Sequence, residues 1–306
     1  MLTIGNTPLF RLERLREPGS ADIFVKWEGA NPTGSMKDRM ALSMIQCAEA
    51  RGQLRPGARV VDYTGGSTGS SLAMVCAAKG YRAHFVSSDA FSEEKLQTMR
   101  AFGATLDVIP SGPDRKVTPE LLQTCFARVR GLVAEPNTFW TDQFNNPDNR
   151  AGYAGMAREV LDALDGKFDE FIMGVGTGGC FSGNAMVYKD KVPGVRCIAI
   201  EPEKSRALSG QGPFLGHRIE GMGAGFVPSI CRLDLADQIV AVSDDDAYAT
   251  ARRLAREEGI FGGISSGSNV WAALQRARVL GPGRRIVTVI CDSGLKYLQG
   301  PLFRSV

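Results

Sequence analysis

The sequence is poor in the residues from which metal sites are usually built. Its 306 residues include two histidines, His84 and His217, and seven cysteines without a single CxxC pair. Because zinc sites normally combine closely spaced cysteines and histidines, we expect no metal site. Several cysteines lie inside apolar segments, such as Cys76 and Cys197, where cysteine behaves as a small hydrophobe. The cysteines are therefore predicted to be buried, reduced thiols.

The sequence also lacks an excess of charge and long apolar runs. Lys and Arg number 36 against 33 Asp and Glu, and the charges are interspersed, which gives no electrostatic reason to expect nucleic acid or an anionic membrane as a partner. No stretch is long enough to span a membrane, and the N-terminus has no basic segment followed by an apolar run. We expect a cytoplasmic protein, long enough for two domains.

Short apolar runs alternate with segments of helical periodicity along most of the chain. The runs predict strands at 59–63, 82–86, 106–109, 170–173, 195–200, 238–242 and 285–290. Strands separated by single helices need crossover connections, which favours parallel sheets covered by helices on both faces. Binding sites in such α/β folds gather at the carboxyl ends of the strands.

One lysine is presented in an unusual way. The stretch NPTGSMKDR, residues 31–39, forms a bend through Pro32 and Gly34 and leads into a helical pattern for which Ser35 is the candidate N-cap. This arrangement holds Lys37 in one place, and a fixed, partly desolvated lysine can form a Schiff base with a carbonyl, as in pyridoxal phosphate chemistry. An ordinary exposed lysine in the first turn of a helix is the alternative.

Three glycine-rich loops follow predicted strands. TGGSTGSS (64–71) and GVGTGGCFSG (174–183) each lead into a helix, and GGISSGS (262–268) precedes another. Glycines at a helix N-terminus let backbone N–H groups surround a phosphate or carboxylate, although each loop alone is also compatible with a simple turn. The GxGxGG spacing of the second loop departs from the dinucleotide fingerprint. A loop that binds the phosphate of a smaller cofactor fits better, and a nicotinamide-dependent dehydrogenase is a distant alternative.

Taken together, the lysine and the loops resemble the fold type II PLP-dependent enzymes, and among them the cysteine synthase (O-acetylserine sulfhydrylase) and cystathionine β-synthase family. The matching stretches run in the family's order: IGNTPL (4–9), NPTGSMKDR (31–39), TGGSTG (64–69), QFNNPDN (143–149), GVGTGG (174–179), GMGAGFVP (221–228), GISSG (263–267) and DSGLKYL (292–298).

The resemblance implies a two-domain α/β fold like that of the tryptophan synthase β-subunit, with open, mostly parallel twisted sheets and helices on both faces. Residues 35–142 are expected to form a smaller domain with a mobile lid at about 87–130. Residues 1–34 and 143–306 are expected to form a larger domain, with pyridoxal 5'-phosphate between the two.

The resemblance also assigns roles to individual residues. Lys37 is expected to carry the Schiff base and to act as acid and base, and Ser293 to meet the pyridine nitrogen. The expected phosphate ligands are Gly176, Thr177, Gly178, Gly179 and Cys180, with Ser67 as a further cofactor contact. The expected substrate contacts are Thr64, Gly65, Ser67, Thr68, Gln143, Gly221, Gly223 and Ala224. His217 occupies a family position before GMGAG, but a solvated loop histidine is an equal alternative.

The first glycine loop departs from the family. Relatives usually read TSGNTG, so that Gly65 replaces a serine and Ser67 replaces an asparagine. The segment after QFNNPDN also looks shorter than in relatives. These differences concern the choice of substrate more than use of the cofactor, and they leave open a loop widened for a larger amino acid or for another leaving group.

The implied activity is β-replacement on an L-serine derivative. O-acetyl-L-serine would lose acetate to give an aminoacrylate, and sulfide or another thiol would add to give L-cysteine or an S-substituted cysteine. Cystathionine synthesis, cysteine desulfhydrase-type β-elimination and use of O-phosphoserine are alternatives, and a catalytically silent binding protein is an alternative of another class. We expect a homodimer, a possible serine acetyltransferase partner, and neither a haem segment nor a regulatory module.

Overall fold

The computed structural model describes residues 3–113, 117–212 and 214–304. It forms two compact units: a smaller one of Met1–Ile4 and Lys37–Gly152, and a larger one of Gly5–Met36 and Tyr153–Val306. Residues 114–116 of the predicted lid lie outside the described residues, as do 1–2, 213 and 305–306.

The elements follow one another largely as the alternating pattern predicts. In chain order they are β1 Leu9–Arg11, β2 Asp22–Trp27, α1 Lys37–Ala50, β3 Arg59–Tyr63, α2 Ser67–Lys79, β4 Arg82–Ser88, α3 Glu93–Ala101, β5 Thr105–Ile109, α4 Pro119–Val133, β6 Thr138–Trp140, α5 Pro147–Ala151, α6 Ala154–Leu164, β7 Glu170–Gly174, α7 Gly179–Lys191, β8 Arg196–Pro202, β9 Gln238–Val242, α8 Asp244–Glu258, α9 Ile264–Leu280, β10 Arg285–Ile290 and α10 Pro301–Arg304.

The larger unit is built on a six-stranded sheet with the order β1-β2-β10-β7-β8-β9. Only β1 runs antiparallel, against β2, and the other neighbours are parallel. All five residues of β7 are buried, as expected of a central parallel strand covered on both faces. Buried side chains from this sheet, among them Ile23, Ile172 and Ile286, form one core with buried residues of helices α8 and α9.

The smaller unit is built on a four-stranded parallel sheet with the order β5-β4-β3-β6. Helix α4 packs on it through an apolar face that includes Leu121, Cys125 and Val129. The two sheets and their helices confirm the predicted α/β fold class.

Several element boundaries differ from the predictions. Helices α2 and α9 begin at Ser67 and Ile264, so residues read as glycine-rich loop form the first helical turns. Strands β1, β2 and β6 were not predicted, because β1 and β6 have three residues each and β2 includes the charged residues Asp22 and Lys26. Helix α1 begins at Lys37, and Ser35 pairs with Asp292 in an isolated bridge instead of immediately preceding the helix.

The cysteines agree with the expectation of buried thiols for most positions. Five of the seven are buried, while Cys47 and Cys231 are half-buried, and all are present as thiols. Burial raises the pKa of Cys76 to about 12. Among the described residues, no helix is both long and apolar enough to cross a membrane.

Candidate active site

The ends of two neighbouring parallel strands bring two of the predicted segments to one edge of the larger sheet. Strand β7 ends at Gly174, and β10, its neighbour, ends at Ile290. The segments that follow, 175–179 and 291–293, therefore leave the sheet on the same side, where α/β folds bind their ligands.

The loop after β7 has no room for side chains at two of its glycines. A Cβ on Gly176 would lie 2.1 Å from the carbonyl oxygen of Gly221, and one on Gly178 would lie 2.5 Å from Cβ of Cys231. Gly178 also has a φ of +83° and is the N-cap of α7, a conformation that glycine adopts without strain. The close backbone and the helix N-terminus together fit a phosphate group.

The segment 221–225 packs against this loop. The N–H of Gly223 donates to the carbonyl of Val175 over 3.0 Å. The Nδ1 atom of His217 accepts from the N–H of Ile219 at 3.2 Å, so the ring proton is on Nε2, which lies 3.0 Å from the carbonyl oxygen of Gly223. His217 is therefore half-buried and hydrogen-bonded within this segment, and it is not merely a solvated loop histidine.

The buried side chain of Asn269, on α9, ties the two strand ends together. Its Oδ1 accepts from the N–H of Gly174 at 2.9 Å, and its Nδ2 donates to the carbonyl of Val289 at 2.7 Å. Nearby on α9, Oγ of Ser266 accepts from the N–H of Cys291 at 3.0 Å. These bonds fix where the phosphate-type loop starts and where the segment of Ser293 starts.

The hydroxyl of Ser293 accepts a hydrogen bond and can still donate one. It is half-buried and is the N-cap of a short 3-10 helix, where its Oγ accepts from the N–H of Leu295 at 3.3 Å. Because that bond uses an oxygen lone pair, the O–H remains able to donate. A pyridine nitrogen is a suitable acceptor for it.

The residues before Lys37 are tied to the same segment. The N–H of Ser293 donates to the carbonyl of Gly34 at 2.9 Å, and the N–H of Met36 donates to the carbonyl of Cys291 at 2.8 Å. Gly34 has a φ of +70°, and a Cβ on it would lie 3.2 Å from that of Ser293. The segment leading to Lys37 is thus fixed by backbone pairing.

Lys37 itself is the first residue of α1 and is 8 % exposed. The next residue, Asp38, is fully buried, and its Oδ1 accepts from Oγ of Ser71 on α2 at 2.5 Å. Lys37 is therefore a buried lysine at a fixed helix start, and the alternative of an ordinary exposed lysine is wrong.

In the smaller unit, Thr64, Thr68 and Gln143 form one hydrogen-bonded group. Thr68 donates from Oγ1 to Oε1 of Gln143 at 2.9 Å, and Nε2 of Gln143 donates to the carbonyl of Tyr63 at 2.8 Å. The N–H of Gly69 donates to Oγ1 of Thr64 at 2.9 Å. The O–H of Thr64 and the second amide hydrogen of Gln143 remain as donors beside the N-terminus of α2, an arrangement that suits a carboxylate.

A buried carboxylate supports this group from behind. Asp62 accepts from Oγ1 of Thr141 at 2.5 Å, from the N–H of Tyr63 at 2.8 Å and from the N–H of Gln143 at 3.3 Å. Burial raises the pKa of Asp62 to about 7, although the hydrogen bonds from Thr141 and its neighbours oppose the shift.

The remaining predicted residues have ordinary positions in these segments. Ser67 is the first residue of α2 and Cys180 lies in the first turn of α7. Ala224 is half-buried, and Gly65 is covered by the ring of Phe91. Sequence reasoning missed the supporting roles of Asn269, Asp62 and Phe91, because each depends on a partner distant in sequence or on a contact that no motif encodes.

Comparison with known proteins points in the same direction. Residues 1–292 match the model of the family described as "Pyridoxal-phosphate dependent enzyme". The cysteine synthase of Staphylococcus aureus is 41% identical over 302 residues, which cover 98% of this chain and 95% of that protein.

Two solved structures are similar over nearly the whole chain. A hydrogen sulfide-producing enzyme from Fusobacterium nucleatum is 39% identical with a TM-score of 0.89, covering 96% of each chain. O-acetyl serine sulfhydrylase isoform 3 from Entamoeba histolytica is 34% identical with a TM-score of 0.92, covering 99% of this chain and 90% of that one. These matches confirm the resemblance read from the eight collinear motifs.

Proposed function

Because the chain belongs to the pyridoxal-phosphate dependent enzyme family, we propose that it catalyses β-replacement on O-acetyl-L-serine, with sulfide or another thiol as the nucleophile. The products are L-cysteine, or an S-substituted cysteine, and acetate. Pyridoxal 5'-phosphate is its cofactor, as the motifs predict, and when bound it supplies the electron sink for loss of the Cα proton and of the leaving group at Cβ.

The observation that carries this proposal is the glycine-rich loop before α7, which has no room for a side chain at two of its glycines. At Gly176 and Gly178 the backbone packs against Gly221 and Cys231 with no room for a Cβ. Together with Thr177, Gly179 and Cys180, these glycines form the proposed phosphate cradle. The macrodipole of α7 adds a favourable interaction with the negative charge.

Lys37 is proposed to act at the aldehyde group of the cofactor, and Ser293 is proposed to act at its ring nitrogen. The buried amine of Lys37 would hold the cofactor at its aldehyde group and would move the proton at the substrate's Cα. The O–H of Ser293 would be the donor for the ring nitrogen. A neutral hydroxyl does not favour a protonated ring nitrogen, which suits prompt loss of a β-leaving group over a long-lived carbanion.

The substrate carboxylate is proposed to bind at the N-terminus of α2. The O–H groups of Thr64 and Ser67 and the second amide hydrogen of Gln143 are the donors. Thr68 already donates its hydroxyl hydrogen bond to Oε1 of Gln143, so its role is to orient that amide. Gly221, Gly223 and Ala224 are proposed to approach the amino group, and Gly65 is considered in the next subsection.

β-Elimination is the second candidate, favoured by the likeness to the hydrogen sulfide-producing enzyme of Fusobacterium nucleatum. The purified holoenzyme should be offered O-acetyl-L-serine, O-phospho-L-serine, L-serine and L-cysteine separately, with sulfide present or absent. We expect the visible absorbance of the cofactor to change with O-acetyl-L-serine and cysteine to form when sulfide is added. Pyruvate and sulfide released from L-cysteine, without a response to O-acetyl-L-serine, would establish elimination instead.

The domain and assembly predictions are also proposals, and they rest on the family resemblance. They are a smaller domain of residues 35–142, a lid at about 87–130, a homodimer, a cytoplasmic location and a serine acetyltransferase as a possible partner. Structures with and without bound amino acid would test the lid, because residues 87–130 should be displaced between them.

A further inference from the structure

The ring of Phe91 lies directly on Gly65 within the proposed carboxylate-binding loop. A Cβ on Gly65 would lie 2.2 Å from Cε1, 2.2 Å from Cζ and 2.4 Å from Cδ1 of Phe91, and these are the three atoms nearest to it. Gly65 does not have a positive φ. Glycine is therefore required there by the close approach of the ring and not by the conformation of the backbone.

The position of Phe91 is set by its own surroundings. The turn after β4 is held by Ser88, whose carbonyl accepts from the N–H of Phe91 at 3.2 Å and whose Oγ accepts from the N–H of Ala90 at 3.2 Å. On the other side, the ring of Tyr63 lies 6.3 Å from that of Phe91, centroid to centroid. Phe91 is thus packed between the end of β3 and the loop.

Gly65 and Phe91 consequently depend on each other. A serine at position 65, as in the TSGNTG loop of the relatives that this sequence resembles, would need the ring to be elsewhere. The ring of Phe91 occupies the space that the side chain of a serine at position 65 would take. The loop is therefore not widened at Gly65, one of the alternatives that the sequence left open.

Resting on the proposed function, we propose that Phe91 is a specificity-determining residue for the amino-acid substrate. The ring closes the space above Gly65 and confines the loop to amino acids with small side chains. A ring in this place also leaves the substrate carboxylate to the donors of Thr64, Ser67 and Gln143.

The test measures amino-acid binding to the holoenzyme by absorbance titration, with L-alanine as the small probe and L-methionine as the large one. In Phe91→Ala we expect the dissociation constant for L-methionine to fall at least tenfold relative to the dissociation constant for L-alanine. Phe91→Leu should shift this ratio less. Phe126→Ala is the matched control, since Phe126 packs on Tyr63 with a centroid distance of 5.2 Å but is not among the atoms nearest to Gly65.

A second measurement uses thermal unfolding of the same proteins. Gly65→Ser should lower the melting temperature and weaken binding of both probes, and Phe91→Ala in the same chain should restore much of the loss. The role of Phe91 would be overturned if the ratio of the two dissociation constants did not change in Phe91→Ala and Phe91→Leu, or if it changed equally in Phe126→Ala. It would also be overturned if Gly65→Ser changed neither the melting temperature nor the binding of the two probes. Absence of any absorbance response to amino acids in the wild type would instead refute the proposed function.

Discussion

Replacing Asn269 by leucine removes the link between the two strand ends that carry the proposed phosphate loop and Ser293. Leucine has the same branching and the same number of side-chain heavy atoms as asparagine, so the substitution leaves no cavity. It does leave the N–H of Gly174 and the carbonyl of Val289 buried without the partner that now lies 2.9 Å and 2.7 Å away, respectively.

Each unsatisfied buried group costs about 1–3 kcal/mol. The N–H of Gly174 would lose the partner described above, and the carbonyl of Val289 would keep a long 3.9 Å bond from Sγ of Cys291, so we expect the free energy of unfolding of Asn269→Leu to fall by about 2–6 kcal/mol. We also expect the protein to retain less pyridoxal phosphate after dialysis, because the loop of Gly176 starts two residues after Gly174. Urea unfolding followed by circular dichroism, and visible absorbance after dialysis, measure the two effects.

The neighbouring residue supplies the control. Ser268 is also fully buried on α9, but its Oγ makes only a 3.4 Å bond to the carbonyl of Ile264 within the same helix. Ser268→Ala should therefore cost no more than about 1 kcal/mol and leave cofactor retention unchanged. A loss of stability in Asn269→Leu no greater than in Ser268→Ala, with normal cofactor retention, would refute the reasoning.

Three further predictions follow from buried contacts. In Gly176→Ala, the new methyl group meets the carbonyl oxygen of Gly221, so the variant should fold but bind the cofactor at least tenfold more weakly; normal affinity in a fluorescence titration would contradict this. In Glu170→Gln, the guanidinium of Arg276 loses its charge partner, because it now lies 2.5 Å and 3.0 Å from the fully buried carboxylate. Urea unfolding should show that the free energy of unfolding falls by about 3–5 kcal/mol. A fall below about 1 kcal/mol would contradict this. Because burial raises the pKa of Asp62 from 3.8 to about 7, the folded state holds this proton more tightly. Its stabilising contribution is complete below about pH 4 and is lost as the pH rises through 7, by at most about 4 kcal/mol. The stability of the wild type relative to Asp62→Asn should fall over that range, and a flat difference would be contrary to the assignment.

Wherever the local pattern is strong, the elements were predictable from the sequence. Strands β3, β9 and β10 have the predicted bounds, because a short segment rich in apolar residues is a local property of the chain. Boundaries within glycine-rich segments were less predictable. The first turn of α9 has the composition of a loop. The structure shows why small residues occur inside this helix: a Cβ on Gly267 would lie 2.0 Å from the carbonyl oxygen of Ala247.

The sequence by itself determined the α/β class and the order of the motifs, and it is the source of the proposals that Lys37 is the reactive lysine and that a glycine loop binds a phosphate. Each of these is written in residue types and short spacings. Tertiary structure decided how Lys37 is buried, that Asn269 joins two strand ends, and that Phe91 fills the space above Gly65. Gly174 and Asn269 are 95 positions apart, and Gly65 meets Phe91 only because the parallel strands β3 and β4 place their following loops side by side. Contacts of this kind depend on the folded sheet and not on any local pattern in the chain.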